Sequence, residues 1–170
     1  THWHGDHILG LPGLFQTLAM LGYNKTLYIY GPKGTKEFMK AIEKLMVFYK
    51  IKIEIVEVSS GIIFQNNDFK IEASPMKHGT PALAYSLMLK DKIRINKKKL
   101  KKLKIPDTPL IKNLQKGRDI VINNKKIRAK YLTYIEKGKK ITIILDTKLN
   151  KNAIKLAKNS DILICESTFS

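Results

Sequence analysis

The feature that most constrains this chain is its opening, Thr1-His2-Trp3-His4-Gly5-Asp6-His7, where three of the four histidines and a carboxylate fall within seven residues. Imidazole and carboxylate in this mixture are ligands that borderline-soft cations such as zinc prefer. In an extended segment residues i and i+2 point to the same side, so His2 and His4 can reach one ion together. Beyond Gly5, Asp6 and His7 turn toward a second. The stretch reads as half of a two-metal site. Metal-binding loops are held by scaffold on both sides, and Thr1 stands first without an initiator methionine, so further strands are expected upstream.

The 170 residues, 44% hydrophobic and 27% charged, fit one soluble globular domain. No apolar run approaches the roughly 20 residues of a membrane span. Nor does a basic start followed by an apolar stretch mark a signal peptide. The single cysteine, Cys165, excludes an internal disulfide and fits a reducing compartment, which makes the cytoplasm the expected location. The formal charge of +18, from 32 Lys and Arg against 14 Asp and Glu, calls for a polyanionic partner. The alternative is a compositional lysine bias, and the distribution of charge along the chain decides between the two.

After the cluster, Ile8, Leu9, Leu11, Leu14, Phe15, Leu18 and Leu21 have helical spacing, which predicts a helix over residues 13–20 with Pro12 in or just before its first turn. A helix starting near the ligands adds positive potential beside Asp6 and favours an anion in the site. Residues 26–30 read as a strand closed by Gly31-Pro32. Thr35 is a plausible N-cap for a second helix with Phe38, Ile42, Leu45 and Tyr49 on one face. From Ile51 the period becomes two, with strands to about residue 89 and a hairpin joining 62–64 to 69–73 through Asn66-Asn67-Asp68. His78, the last histidine, stands in a loop between Pro75 and Pro81 and is the best third imidazole for the first ion.

Residues 92–104 change character, with eight of thirteen Lys or Arg and none acidic. Leu100 and Leu103 are the only apolar anchors of a short helix there, too few for core burial to hold it. The stretch is expected to project on a stem containing Pro106 and Pro109 and to end near Gly117. Lys112, Lys116 and Arg118 extend the charge. Unbalanced lysines repel one another and phosphates relieve that repulsion, so Lys97, Lys98, Lys99, Lys101, Lys102 and Lys104 are the candidate nucleic-acid contacts. Strands follow over 119–122 and 127–135, then an apolar strand over 141–145, expected to be buried on both faces, which delivers Asp146-Thr147 at its C-terminal end. A helix over 151–157 and a strand over 161–165 complete the chain, with no internal repeat and no second domain evident.

These residues add up to a resemblance. His2-x-His4-x-Asp6-His7 is similar to the signature of the metallo-β-lactamase superfamily. Gly10-Leu11-Pro12-Gly13-Leu14 resembles one branch of it, the tRNA 3′-processing endonucleases called ribonuclease Z. Tyr30-Gly31-Pro32, His78-Gly79-x-Pro81 before Ala84-Tyr85, Leu114-Gln115-x-Gly117, Asp146-Thr147 and Glu166-x-Thr168-Phe169 follow in the family's order. The match covers essentially the whole chain.

The resemblance implies an α/β metallo-β-lactamase fold (αββα sandwich), incomplete in residues 1–170 and carrying an inserted lysine-rich arm over 92–118. It implies two zinc ions per complete subunit, one held by His2, His4 and His78, the other by Asp6 and His7, with Asp146 bridging and Asp6 also accepting a proton. The implied reaction removes the 3′ trailer from a tRNA precursor, leaving a 3′-hydroxyl on the tRNA and a 5′-phosphate on the trailer. The implied partners are precursor tRNA, gripped by the arm, and a second copy in a homodimer, with no membrane.

The chain also departs from the family. The family's last metal-ligand histidine and a catalytic histidine before it lie downstream of Ser170, and all four histidines here are already assigned. The expectation is weak second-zinc binding and little or no activity for these 170 residues alone. Cys165-Glu166-Ser167-Thr168 replaces His-Glu-Ala-Thr, leaving Glu166 as the candidate proton relay, and Thr108-Pro109 replaces the arm's Gly-Pro. Two other functions compete: another hydrolase of the same fold, which has no need of the lysine arm, and a non-catalytic RNA-binding module with structural metals.

Overall fold

Most of the stretches read as strands and helices take those forms in the computed structural model, which describes residues 1–45, 51–106, 108–122 and 124–167, without the side chain of Leu45. In chain order the first elements are α1 (Gly5–Ile8), α2 (Gly10–Met20), β1 (Thr26–Gly31), α3 (Thr35–Leu45), β2 (Lys52–Glu57), β3 (Gly61–Gln65), β4 (Phe69–Met76) and β5 (Ala82–Leu89). Next come β6 (Lys92–Ile95), α4 (Lys97–Lys102), α5 (Ile111–Gln115), β7 (Ile120–Ile122), β8 (Lys125–Ile127), α6 (Ala129–Leu132) and β9 (Thr133–Glu136). The last are β10 (Lys140–Ile144), α7 (Lys151–Ala157) and β11 (Ile162–Cys165). The chain divides into two compact units, Thr1–Met88 with Lys139–Ser170, and Leu89–Gly138.

In the first unit β1 and β2 pair in parallel through the crossover helix α3. A five-stranded sheet has the order β11-β10-β5-β4-β3, with β10 parallel to β11 and antiparallel to β5. Helix α7 joins β10 to β11, and its Ala153 and Leu156 pack with Ile144 and Ala84 in a buried cluster. Each strand–helix–strand unit leaves a loop at a strand's C-terminal end, Gly31-Pro32 after β1 and Asp146-Thr147 after β10. That is where open α/β sheets present ligand sites.

Three expectations are corrected here. Helix α2 starts at Gly10, with Pro12 its third residue, because N–H groups of the first turn have no intrahelical acceptor and proline forfeits nothing there. Thr35 is the first residue of α3 rather than its cap. The backbone N–H groups of Gly34 and Lys36 donate to Glu57 Oε1 at 3.0 and 2.9 Å, a capping partner supplied by the end of β2. Strand β10 is not buried on both faces: Thr142 and Ile144 are buried on the face that α7 covers, while Ile143 on the other is 36% exposed. On the edge strand β11, Ile162, Leu163 and Ile164 are exposed as well. Of the face predicted for α3, Phe38 and Ile42 belong to the helix, whereas Tyr49 and the side chain of Leu45 lie outside the described residues, as do Asn123, Thr168 and Phe169.

In the second unit β6 pairs antiparallel with β9, and β7 with β8. Leu100 of α4 is buried with Ile111, Leu114, Ile120, Ala129 and Leu132. The expectation that α4 lacks core burial therefore fails: one leucine suffices because α5, α6 and Ile120 of β7 supply the rest of the apolar surface. The single strand expected over 127–135 is broken into β8, α6 and β9. Ala129 and Leu132, three apart, bury one helical face, and the Asp119 carboxylate accepts a hydrogen bond from the Ala129 N–H at 2.9 Å, anchoring the helix start.

Candidate metal centre

The opening stretch reaches His4, whose backbone is extended, and then winds into α1, so Asp6 lies in a helical first turn and His7 follows it. The segment is tied to β5 by the Leu83 N–H, which donates to the Thr1 carbonyl at 2.9 Å. His2 and His4 project to one side. His2 Nε2 lies 3.1 Å from His4 Nδ1, and His78 Nε2 reaches the same His4 nitrogen at 3.2 Å from a loop 74 residues away. Asp146 Oδ2 stands 3.7 Å from His2 Nε2 and 3.9 Å from His78 Nε2. The other Asp146 oxygen, Oδ1, lies 3.3 Å from His7 Nε2, which in turn is 3.2 Å from Asp6 Oδ2.

The six side chains thus form two groups, His2, His4, His78 and Asp146, and Asp6, His7 and Asp146. Asp146 belongs to both, one oxygen toward each. Its backbone takes the left-handed conformation (φ 35°), which aspartate tolerates better than most residues and which functional sites often hold. Burial is graded: His2 is buried, His78 and Asp146 are partly so, and the Asp6 side chain is 76% exposed.

The donor chemistry fits a cation at each group. Ligands about 2.0–2.1 Å from a tetrahedral ion lie about 3.3 Å from one another, and these contacts bracket that edge. Burial, and then the neighbouring His7, push the His2 pKa down to about 4; His78 and His4 add to the drop and Asp146 partly opposes it. His2 is therefore a neutral imidazole at neutral pH. Its Nδ1 lies 3.2 Å from Thr1 Oγ1, and an Nδ1–H donated to that oxygen leaves the Nε2 lone pair facing the group.

A clamp fixes Asp146 relative to His78. Thr147 Oγ1 accepts from the Lys77 N–H at 3.0 Å and from Asn150 Nδ2 at 2.9 Å, while the Lys148 N–H donates to the Lys77 carbonyl at 2.9 Å. Thr147 was visible in sequence as half of a motif, but Asn150 was not, because its partners depend on the bridge between two distant loops. Glu166 follows β11, with its N–H on the Ile144 carbonyl at 3.3 Å, at the same strand ends as Asp146 and outside both ligand groups. The six lysines of the basic run lie on or just beyond α4 in the second unit.

No protein-family model matches the chain. Its sequence is similar to the ribonuclease Z of Nanoarchaeum equitans, 42% identical over 170 residues that cover 99% of this chain and 54% of the relative. The ribonuclease Z of Leuconostoc mesenteroides is 37% identical over 99% of this chain and 55% of its own length, and that of a Picosynechococcus strain is 35% identical over 100% and 55%. The chain spans about half the length of the curated relatives it matches. The crystal structure of human tRNase Z, short form, is similar with a TM-score of 0.56 at 19% identity, covering 96% of this chain and 54% of that one. The two share a fold, the metallo-β-lactamase fold that the opening motif implied. Over essentially its whole length the chain is thus similar to about half of a ribonuclease Z, the likeness that its ordered set of motifs implied.

Proposed function

We propose that the protein is a zinc-dependent endoribonuclease that removes the 3′ trailer from tRNA precursors in the cytoplasm, acting as a homodimer. The observation that carries this reading is Asp146, whose two oxygens serve two ligand groups at once. His2, His4 and His78 with Asp146 would hold one zinc, and Asp6 and His7 with Asp146 the other. Two such ions supply Lewis-acid activation of a water and neutralise charge on the scissile phosphate.

The remaining steps belong to side chains. Water adds to phosphorus, the P–O3′ bond breaks, the phosphate stays on the trailer's 5′ oxygen, and O3′ leaves with a proton as the tRNA's 3′-hydroxyl. Asp6, exposed beside His7, accepts the proton of the attacking water. Glu166 is the candidate relay for the proton that reaches O3′. The inserted arm, residues 92–118, holds the RNA backbone through Lys97, Lys98, Lys99, Lys101, Lys102 and Lys104. Support for that role is the charge of the second unit, 17 Lys and Arg against 4 Asp and Glu, or +13 of the chain's +18.

Cleavage of a tRNA precursor with mapped termini, alongside zinc content, tests the proposal. Trailer release with a 3′-hydroxyl, lost in Asp6→Ala with RNA binding retained, supports it. Removing residues 92–118 separates the alternatives: loss of tRNA cleavage with hydrolysis of a small phosphodiester spared supports the proposal, whereas both activities surviving unchanged points to a small-molecule hydrolase. RNA binding with no cleavage in the metal-loaded protein points to a non-catalytic module.

A further inference from the structure

We infer that Trp3 is a positioning residue for the metal centre, its indole held between Thr35 and Phe38 so that the extended segment aims His2 and His4 at one point. The inference rests on reading the His2, His4, His78 and Asp146 group as a cation site.

Successive residues of an extended segment point to opposite sides, so Trp3 leaves the backbone away from the two imidazoles that flank it. Two residues of extended chain advance about 6.6 Å, yet His2 Nε2 and His4 Nδ1 converge to 3.1 Å. That convergence depends on how the backbone between them is placed, and Trp3 anchors that backbone through Thr35. Its Nε1–H donates to Thr35 Oγ1 at 2.9 Å. The Thr35 hydroxyl is itself oriented, because it donates to the Pro32 carbonyl at 2.6 Å, and Thr35 is fully buried. The indole also stacks on Phe38, with centroids 5.0 Å apart and planes 7° from parallel.

Gly31 completes the socket. A Cβ added there would stand 2.3 Å from Thr35 Oγ1, so only glycine at the end of β1 admits the hydroxyl. Trp3 is thus bonded to a side chain 32 residues away that β1 and the first turn of α3 fix in place, and the residues on either side of it are both ligands. Any rotation of its peptide moves two donors at once.

The test uses metal-stripped protein refilled with Co2+, followed by visible absorption. Trp3→Phe keeps the stacking ring and loses the N–H; Thr35→Val removes the acceptor; Thr35→Ser keeps it. Groups hydrogen-bonded to a ligand typically govern ten- to a hundredfold in metal affinity, and a brace on the residue between two ligands is placed at the lower end of that range. Trp3→Phe and Thr35→Val are expected to weaken Co2+ binding by about tenfold and to shift its d–d bands, with the double variant no weaker than either single one and Thr35→Ser near wild type. Thermal unfolding of the metal-free variants separates this from a packing role, which lowers the melting temperature and leaves affinity unchanged. Should Thr35→Val fail to fold, Trp3→Phe decides alone. Wild-type Co2+ affinity and bands in folded Trp3→Phe overturn the inference. Co2+ binding that His2→Ala leaves untouched overturns the metal-site reading itself, and the inference with it.

Discussion

The unit formed by Thr1–Met88 and Lys139–Ser170 carries 15 Lys and Arg against 10 Asp and Glu, and the unit Leu89–Gly138 carries 17 against 4 in fewer than half as many residues. The first spends its polar groups on convergence. Four imidazoles and two carboxylates are brought toward one another, with braces such as Trp3 on Thr35 and Thr147 on Lys77. The second wraps cationic surface around a core of six small and medium apolar residues. A coordination site depends on positions held to a fraction of an ångström, whereas attraction to a polyanion depends on the density of charge. A uniform lysine bias would spread the charge evenly, so its concentration in one unit favours a partner over composition as its cause.

The sharpest way to break this contrast is Asp146→Ala. Because this carboxylate is shared, both ions should be lost together, while the RNA affinity proposed for the other unit holds. Metal analysis and a binding titration check both halves. His7→Ala should remove only the ion whose group offers three side-chain ligand atoms rather than four.

Replacing Lys97, Lys98 and Lys101 by Ala is the converse experiment. Metal content should stay constant while the slope of log affinity against log salt shrinks by about two, as expected for three lost phosphate contacts on single-stranded RNA. An unchanged slope would remove the lysines from the interface.

Leu100→Ala probes the small core itself. Truncating a buried leucine costs about 2 to 5 kcal/mol, and in so small a cluster the lower end is expected, read as faster hydrogen exchange confined to residues 89–138. Equal acceleration in both units would show that they unfold together.

The smallest effect compares two exposed carboxylates, one per unit. The Ala129 N–H and then Lys126 hold Asp119 below the usual carboxylate pKa; Lys139 and then the Lys140 N–H do the same for Asp161. A depressed native pKa stabilises above the unfolded value near 4 and is lost as pH falls through the native one. Asp119→Asn and Asp161→Asn should therefore lower the melting temperature slightly at pH 7 and leave it nearly unchanged near pH 2.

Much of this was legible in the chain. Histidines two apart, a glycine-proline strand exit and a strand ending in Asp-Thr are local patterns, and local backbone geometry dictates which way such residues point. The start of α2 apart, which is local, the misread helices share one cause, dependence on distant partners. Glu57 caps α3 from the end of β2, Leu100 is buried because α5 and α6 meet it, and Ala129 starts a helix because Asp119 accepts its N–H. Propensity and periodicity carry no information about such partners.

By itself, the sequence determined the donor types, their spacing and the placement of charge, since these are properties of residue identity and of a two- or 3.6-residue repeat. Only the tertiary structure decided that Asp146 divides its oxygens between two groups, that His78 meets His4 across 74 residues, and that Trp3 rests on Thr35. Those are distances between strands and loops remote in sequence, fixed when the sheet and its crossover helices pack.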